Sequence, residues 1–291
     1  MTNFTTRFAP SPTGLLHLGH AFSALTAFNA ASDAGGKFLL RIEDIDQTRC
    51  KPEFEAAIYE DLEWLGVNWE TPIRRQSEHL DDYGAALEAL REKGVVYRCF
   101  KTRKKIADEI ARAPHLSPDG PEGPQYIGKM LAAYEERSLL ADGAAFAWRL
   151  SMSASRSYLG AAFDQLSFNE EGSGPKGETG LITATPEIFG DPVIARKDSG
   201  TSYHLASVLD DAEQGVTHII RGGDLFPATH LHRLLQALLD LPAPIYRHHP
   251  LITDESGRRF AKRDKSATLN SMRKSGVTRE DIFMRVFRPH Q

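Results

Sequence analysis

Short apolar strands alternate with helix-length apolar stripes along this chain, and that alternation constrains its fold more than any other feature. Residues 5–9 can be extended, Pro10-Ser11-Pro12-Thr13-Gly14 is turn chemistry, and a helix of small residues is expected over about 17–34. Gly35-Gly36 stops that helix, and Lys37-Phe38-Leu39-Leu40-Arg41-Ile42 reads as a buried strand. Phe54, Ile58, Leu62 and Leu65 then fall on one helical face between Pro52 and Gly66. A further helix is expected to begin near Ser77, bury Leu80, Tyr83, Leu87 and Leu90, and stop at Gly94. Together these features predict an α/β fold with a Rossmann-type, doubly wound parallel sheet.

The pattern breaks after residue 96. Residues 114–128 hold four prolines and three glycines, 171–180 form a second Gly-rich stretch, and a strand is expected over 145–150 between them. Regular organisation resumes with 192–197, a turn at Asp198-Ser199-Gly200, a helix near 203–214, an apolar strand at 217–220 and a helix over about 227–239. Residues 1–96 are therefore expected to form the first half of the Rossmann domain, 97–190 an insertion, and 191–247 the second half. Residues 248–291 are expected to hold a loop and a small helical subdomain.

Hydrophobic residues make up 41% of the 291 and charged residues 25%, a globular balance that excludes a disordered chain. No apolar run approaches the ~20 residues that span a bilayer. Met1-Thr2-Asn3-Phe4 lacks a basic and then apolar leader, so a cytoplasmic protein without membrane contact is expected. The two cysteines, Cys50 and Cys99, form no metal-type pair and read as reduced thiols. The net charge of −4 is uneven: from Arg258 onward ten Lys or Arg face three Asp or Glu, which leaves +7 there and −11 elsewhere. A basic end on an acidic body suits a docking polyanion, and a solvated helical tail accounts for the same charge.

His17-Leu18-Gly19-His20 sits where the first strand turns into the first helix. There an open α/β sheet offers backbone N–H groups and a positive dipole end to an anion. Gly19 lets a nucleotide approach the backbone, and two imidazoles one turn apart can donate to phosphate oxygens. A pair of helix-capping histidines would give the same pattern.

The full run Arg7-Phe8-Ala9-Pro10-Ser11-Pro12-Thr13-Gly14-Leu15-Leu16-His17-Leu18-Gly19-His20 resembles the first signature of class I glutamyl-tRNA synthetases. Arg41-Ile42-Glu43-Asp44-Ile45-Asp46-Gln47-Thr48-Arg49 resembles the acidic second motif of that family. Tyr203-His204-Leu205-Ala206-Ser207-Val208-Leu209-Asp210-Asp211 and Arg221-Gly222-Gly223-Asp224 follow in the family's order. The resemblance runs over residues 5 to about 265 and implies a ligase that joins glutamate to ATP's α-phosphorus.

A glutamate site needs fixed cations for two carboxylates and a fixed anion for one ammonium. Arg7 offers a planar fork for a carboxylate, and the resemblance places Arg221 in the same role. Glu43 can pair with the α-ammonium, Tyr203 can hydrogen-bond the substrate, and Ser11 with the Ala9 backbone completes the glutamate pocket. His17, Gly19, His20 and Gly222 are implied for ATP, with His17 and His20 acting in catalysis. The family's late Lys-x-Ser-Lys-type loop corresponds here to Arg259-Phe260-Ala261-Lys262-Arg263. Lys262 keeps its second basic position as a catalytic and ATP-binding residue, Arg259 replaces the first lysine in the ATP site, and Ala261 replaces the serine. Mg²⁺ is expected with ATP, held by phosphates and water and by no protein ligand.

Some family members bind structural zinc in the insertion, with Cys-x-Cys after a Tyr and a later Tyr-x-x-x-Cys. The matching stretches here, Tyr97-Arg98-Cys99-Phe100-Lys101 and Tyr126-Ile127-Gly128-Lys129-Met130, keep one thiol, so no structural zinc is expected. The chain reaches only 28 residues past Arg263. That length resembles the short glutamyl-Q branch of the family, which lacks an anticodon-binding domain. The branch implies as partners L-glutamate, ATP and tRNA(Asp) carrying queuosine, with the enzyme a monomer. The alternatives are a truncated glutamyl-tRNA synthetase that charges the tRNA 3′ end and an inactive paralogue that binds tRNA or glutamate. The basic runs Lys101-Thr102-Arg103-Lys104-Lys105 and Arg258 onward are candidate phosphate contacts.

Overall fold

The computed structural model describes residues 4–112, 117–196, 200–252 and 268–287. Its elements run β1 (Thr5–Phe8), α1 (Leu18–Asp33), β2 (Lys37–Ile42), α2 (Pro52–Trp64), β3 (Glu70–Arg75), α3 (Leu80–Glu92) and β4 (Val96–Cys99). The middle of the chain holds α4 (Arg103–Arg112), β5 (Asp119–Gly120), β6 (Gly123–Pro124), α5 (Ala133–Ala141), β7 (Ala147–Leu150), α6 (Met152–Leu159), α7 (Ala161–Asp164), β8 (Ser167–Glu170) and β9 (Gly180–Thr183). It closes with β10 (Val193–Arg196), α8 (Tyr203–Glu213), β11 (His218–Gly222), α9 (Phe226–Leu238), β12 (Ile245–His249), α10 (Leu269–Lys274) and α11 (Arg279–Phe287).

Strands β1, β2 and β3 pair in parallel, as do β11, β12 and β8, with β9 antiparallel at the far edge. Strand β1 lies against the start of β11: Thr217 N–H donates to Thr5 O at 2.9 Å, and Thr5 N–H to Thr217 Oγ1 at 2.9 Å. The sheet β3-β2-β1 and the sheet β11-β12-β8-β9 thus meet edge to edge at β1 and β11, and the strand order reverses between those two strands. In open parallel sheets ligands bind outside the carboxyl ends of the strands at that reversal. Here those ends are Arg7-Phe8-Ala9 and Arg221-Gly222.

Helix α1 is built from small residues because it lies close over the sheet: Ala21, Ala24 and Ala27 are fully buried. It joins α2, β1, β2 and α11 in one apolar cluster, while α3, β4, β7, α8 and α9 feed a second. Burying a leucine or isoleucine side chain contributes about 1.5–3 kcal/mol, so these two clusters dominate the folding energy.

The structure differs from the sequence reading in three places. Strand β8, expected within the 97–190 insertion, pairs in parallel with β12 and so lies in the main sheet. Strand β10, expected to resume that sheet, instead pairs antiparallel with β7, which pairs antiparallel with β4. Both exchanges follow from pairing partners distant in sequence, which local patterning cannot reveal. Leu80 is exposed, because α3 starts at that residue after a short 3₁₀ turn over Gln76–Glu78. Near the C-terminus Ile282 and Val286 share the buried face of α11, and Phe283 is exposed. Among the described residues no helix is long and apolar enough to cross a membrane.

Candidate functional site

A cavity of about 500 Å³ opens where the strand order reverses. Arg7, Ala9, Ser11, His17, Gly19, His20, Glu43, Tyr203, Arg221 and Gly222 all line it, although they come from five separate stretches of chain. Lys262 and Arg259 lie outside the described residues. The flanks of their segment border the site: Leu251 and Ile252 line the cavity, and Thr268 bridges to His17.

His17 is the N-cap of α1. Its Nδ1 accepts from Gly19 N–H at 3.1 Å, and its own backbone N–H donates to His20 Nδ1 at 3.2 Å. The capping alternative is therefore realised, and it is compatible with phosphate binding. An accepting Nδ1 places the proton of a neutral ring on Nε2 in both histidines, the atom that donates to an anion. A Cβ on Gly19 would lie 3.1 Å from His17 Cε1, so glycine here also protects the ring's position.

Arg7 enters from β1 and is anchored from behind. Its Nε–H donates to Asp211 Oδ1 at 2.9 Å, and the same oxygen accepts from Arg41 Nη1 at 2.7 Å. Arg41, fully buried, also donates to Glu43 Oε1 at 3.2 Å. Burial works against the Arg41 charge, yet Asp211, Glu43 and Asp210 together raise its pKa. Burial likewise opposes ionised Asp211, but Arg7 and Arg41 hold it below the usual carboxylate range. Glu43 is shifted upward: burial outweighs the pull of Arg41 and Arg7. Its charge is thus disfavoured in the free site and would gain from an incoming ammonium.

The acidic residues that could have suggested metal ligands are engaged elsewhere. Asp210 accepts from Arg74 Nε at 2.7 Å, Gln76 Nε2 at 2.8 Å and Tyr83 Oη at 2.9 Å. Asp44 accepts from Ser77 N–H at 2.8 Å and Ser77 Oγ at 2.6 Å. Among the described residues no group of three or more His, Cys, Asp or Glu could hold a metal ion. In the insertion, Cys99 packs in one small cluster with Tyr126, and Lys101 Nζ sits 5.7 Å from the Tyr126 ring centre. One thiol and one phenol beside an ammonium do not fit a four-ligand zinc site.

Arg221 is the most constrained cation of the cavity. Nη2 donates to Thr229 Oγ1 at 2.8 Å and Leu225 O at 3.1 Å, Nη1 to Tyr203 Oη at 3.3 Å, and Nε to His248 Nε2 at 3.2 Å. His248 in turn donates from Nδ1 to Glu170 Oε2 at 2.6 Å. The sequence reading missed His248 and Glu170; only the His248-His249-Pro250 run at the end of β12 could have drawn notice.

A second cavity, about 880 Å³, lies between the 45–48 loop and the insertion and shares Tyr203 with the first. Glu122 lines it and accepts from His204 Nε2 at 2.8 Å.

The catalytic-domain model of the class I tRNA synthetases for E and Q matches residues 3–289. The chain belongs to that family. Within it, this synthetase is 46% identical over 278 residues to a glutamyl-Q tRNA(Asp) synthetase of Rhodobacter capsulatus, covering 95% of this chain and 97% of that one. It is 36% identical to glutamate–tRNA ligase 1 of Paracoccus denitrificans over 96% of its own length and 59% of the ligase. A crystal structure of glutamate-tRNA synthetase from Elizabethkingia anophelis superposes with a TM-score of 0.73 at 29% identity, over 90% of this chain and 53% of that one. The chain thus spans about half the length of that solved synthetase. It is a ligase of the class I aminoacyl-tRNA synthetase type.

Proposed function

We propose that this synthetase activates L-glutamate with ATP and transfers it to queuosine in the anticodon loop of tRNA(Asp). The observation that carries the reading is the convergence of Arg7, Arg221, Glu43 and Tyr203 on one cavity that also holds the His17–His20 helix start. The relative from Rhodobacter capsulatus, similar over nearly its whole length, supports the choice of acceptor.

In this reading the two guanidinium groups bind the carboxylates of glutamate and Glu43 binds its ammonium. A substrate carboxylate oxygen attacks the α-phosphorus of ATP; the bond to the bridging oxygen breaks and pyrophosphate leaves. Charge builds on the phosphate oxygens, where the N–H groups of the α1 start and the Nε2–H of His17 and His20 donate. Lys262 and Arg259, outside the described residues, would supply cations from the segment between Ile252 and Thr268, the residues that border the site. Mg²⁺ would accompany ATP, held by phosphates and water, and would there neutralise phosphate charge. A cis-diol hydroxyl of queuosine then attacks the acyl carbonyl, and AMP departs.

No tRNA is needed for the first step. Purified protein is therefore expected to catalyse glutamate-dependent ATP–pyrophosphate exchange without tRNA. Exchange that appears only when tRNA is added, or not at all, contradicts this order of steps.

A further inference from the structure

Arg221 can bind a carboxylate squarely only if its plane is fixed, and the residues that fix it lie on two other strands. We propose that Glu170 and His248 are positioning residues for glutamate binding, a buried hydrogen-bond relay that sets the orientation of Arg221. This rests on the reading of the cavity as a glutamate site.

The donor count carries the argument. Arg221 has five N–H groups. Nε–H is taken by His248, both Nη2 hydrogens by Thr229 and Leu225, and one Nη1 hydrogen by Tyr203. One Nη1–H remains for the cavity, beside the Tyr203 hydroxyl. For Nε–H to be accepted, His248 Nε2 must carry a lone pair, so its proton must sit on Nδ1. Glu170 enforces that tautomer. Its Oε1 already accepts two backbone N–H groups, from Gly172 at 2.8 Å and His248 at 2.8 Å, and its Oε2 faces Nδ1 at 2.6 Å. Both side chains are closed to solvent.

The surroundings prevent the ring from turning. Tyr246 lies parallel to His248 with ring centres 6.1 Å apart, and Phe226 meets it edge-on at 5.2 Å. The chain after β8 comes so close that a Cβ on Gly172 would lie 2.2 Å from His248 O. Burial keeps the imidazole neutral, as the relay requires. This also gives β8 its place in the main sheet: from there Glu170 reaches the back of the site.

Glu170→Gln tests the relay. The amide oxygen keeps the two backbone N–H groups, so the amide NH₂ faces Nδ1 and drives the ring proton to Nε2, against Arg221 Nε–H. In ¹⁵N–¹H spectra, with the His248 signal assigned by its loss in His248→Gln, the wild-type proton is expected on Nδ1 and the Glu170→Gln proton on Nε2. In exchange kinetics Glu170→Gln and His248→Leu are expected to raise the glutamate KM roughly 10- to 100-fold, with the ATP KM within about twofold. His248→Gln, which can offer an oxygen near the Nε2 position, should recover most of that loss. A wild-type proton on Nε2, an unchanged glutamate KM, or equal rises in both KM values would overturn the relay. Wild-type protein without exchange would refute the glutamate reading instead, and the spectra would still decide the relay.

Discussion

Arg41 and Asp211 meet at 2.7 Å across 170 residues of sequence, with both side chains shut away from water. Asp211 Oδ1 also accepts from Arg7 Nε, so one oxygen ties β1, β2 and α8 together directly behind the cavity. The pair therefore links the two halves of the sheet domain and aims the Arg7 fork at the site.

Breaking that pair from one side leaves charge stranded in the interior. Arg41→Met removes the partner of Asp211 and Glu43 together, and the expected loss of folding stability is about 3–5 kcal/mol. Urea unfolding followed by circular dichroism measures it. A loss below about 1 kcal/mol would mean that water or rearranged arginines compensate.

Arg7→Lys keeps the charge but loses the planar fork. The expected result is a glutamate KM raised roughly 10-fold or more, with the ATP KM little changed. Exchange kinetics at varied glutamate and varied ATP separate the two. A selective rise in the ATP KM would move Arg7 to the nucleotide.

His248 makes stability depend on pH. Its folded pKa lies at about 4, below the ordinary 6.5, because burial disfavours the charged ring. Above 6.5 both states are neutral and the native state keeps its full stability. As pH falls from 6.5 towards 4 the unfolded chain takes up the proton first, and stability is lost. Between pH 7.5 and 5 this one group accounts for about 2 kcal/mol. His248→Gln removes the titration, so its stability should fall by about that much less over the same interval in paired urea titrations. Parallel pH curves would show that the ring is not held neutral.

Arg103, Lys104 and Lys105 lie exposed in the first turn of α4, which has no acidic residue. Cations there oppose the helix dipole, so they do not serve the helix. Charge reversal at Lys104 and Lys105 is expected to reduce transfer to tRNA far more than ATP–pyrophosphate exchange, and to flatten the salt dependence of tRNA binding. Equal loss of both activities would show that the run supports the fold instead.

Much of the molecule was legible in the sequence. The bounds of α1, β2, α2 and α8 follow from apolar spacing and from Gly and Pro at their ends, because those signals are local. The residues of the cavity were legible for a different reason: Arg7, His17, Glu43, Tyr203 and Arg221 sit in runs that resemble a known family. What escaped depends on long-range pairing. Nothing near Glu170 announces that β8 will lie beside β12, or that its carboxylate will face His248. Nor does the Asp210-Asp211 run announce that its carboxylates will face the guanidinium groups of Arg74, Arg41 and Arg7, which come from three separate strands.

Which hydroxyl accepts the glutamate is decided by one comparison. Labelled glutamate, ATP and the protein are incubated with tRNA(Asp) that contains queuosine and with the same tRNA lacking it. In a parallel set the 3′-terminal diol of each tRNA is oxidised before the incubation, under conditions that spare queuosine. Label is expected on the queuosine-containing tRNA alone, and to the same extent whether or not the 3′ end was oxidised beforehand. Label on both tRNAs, abolished when the 3′ end is oxidised beforehand, would contradict that expectation and identify an enzyme that charges the terminal ribose.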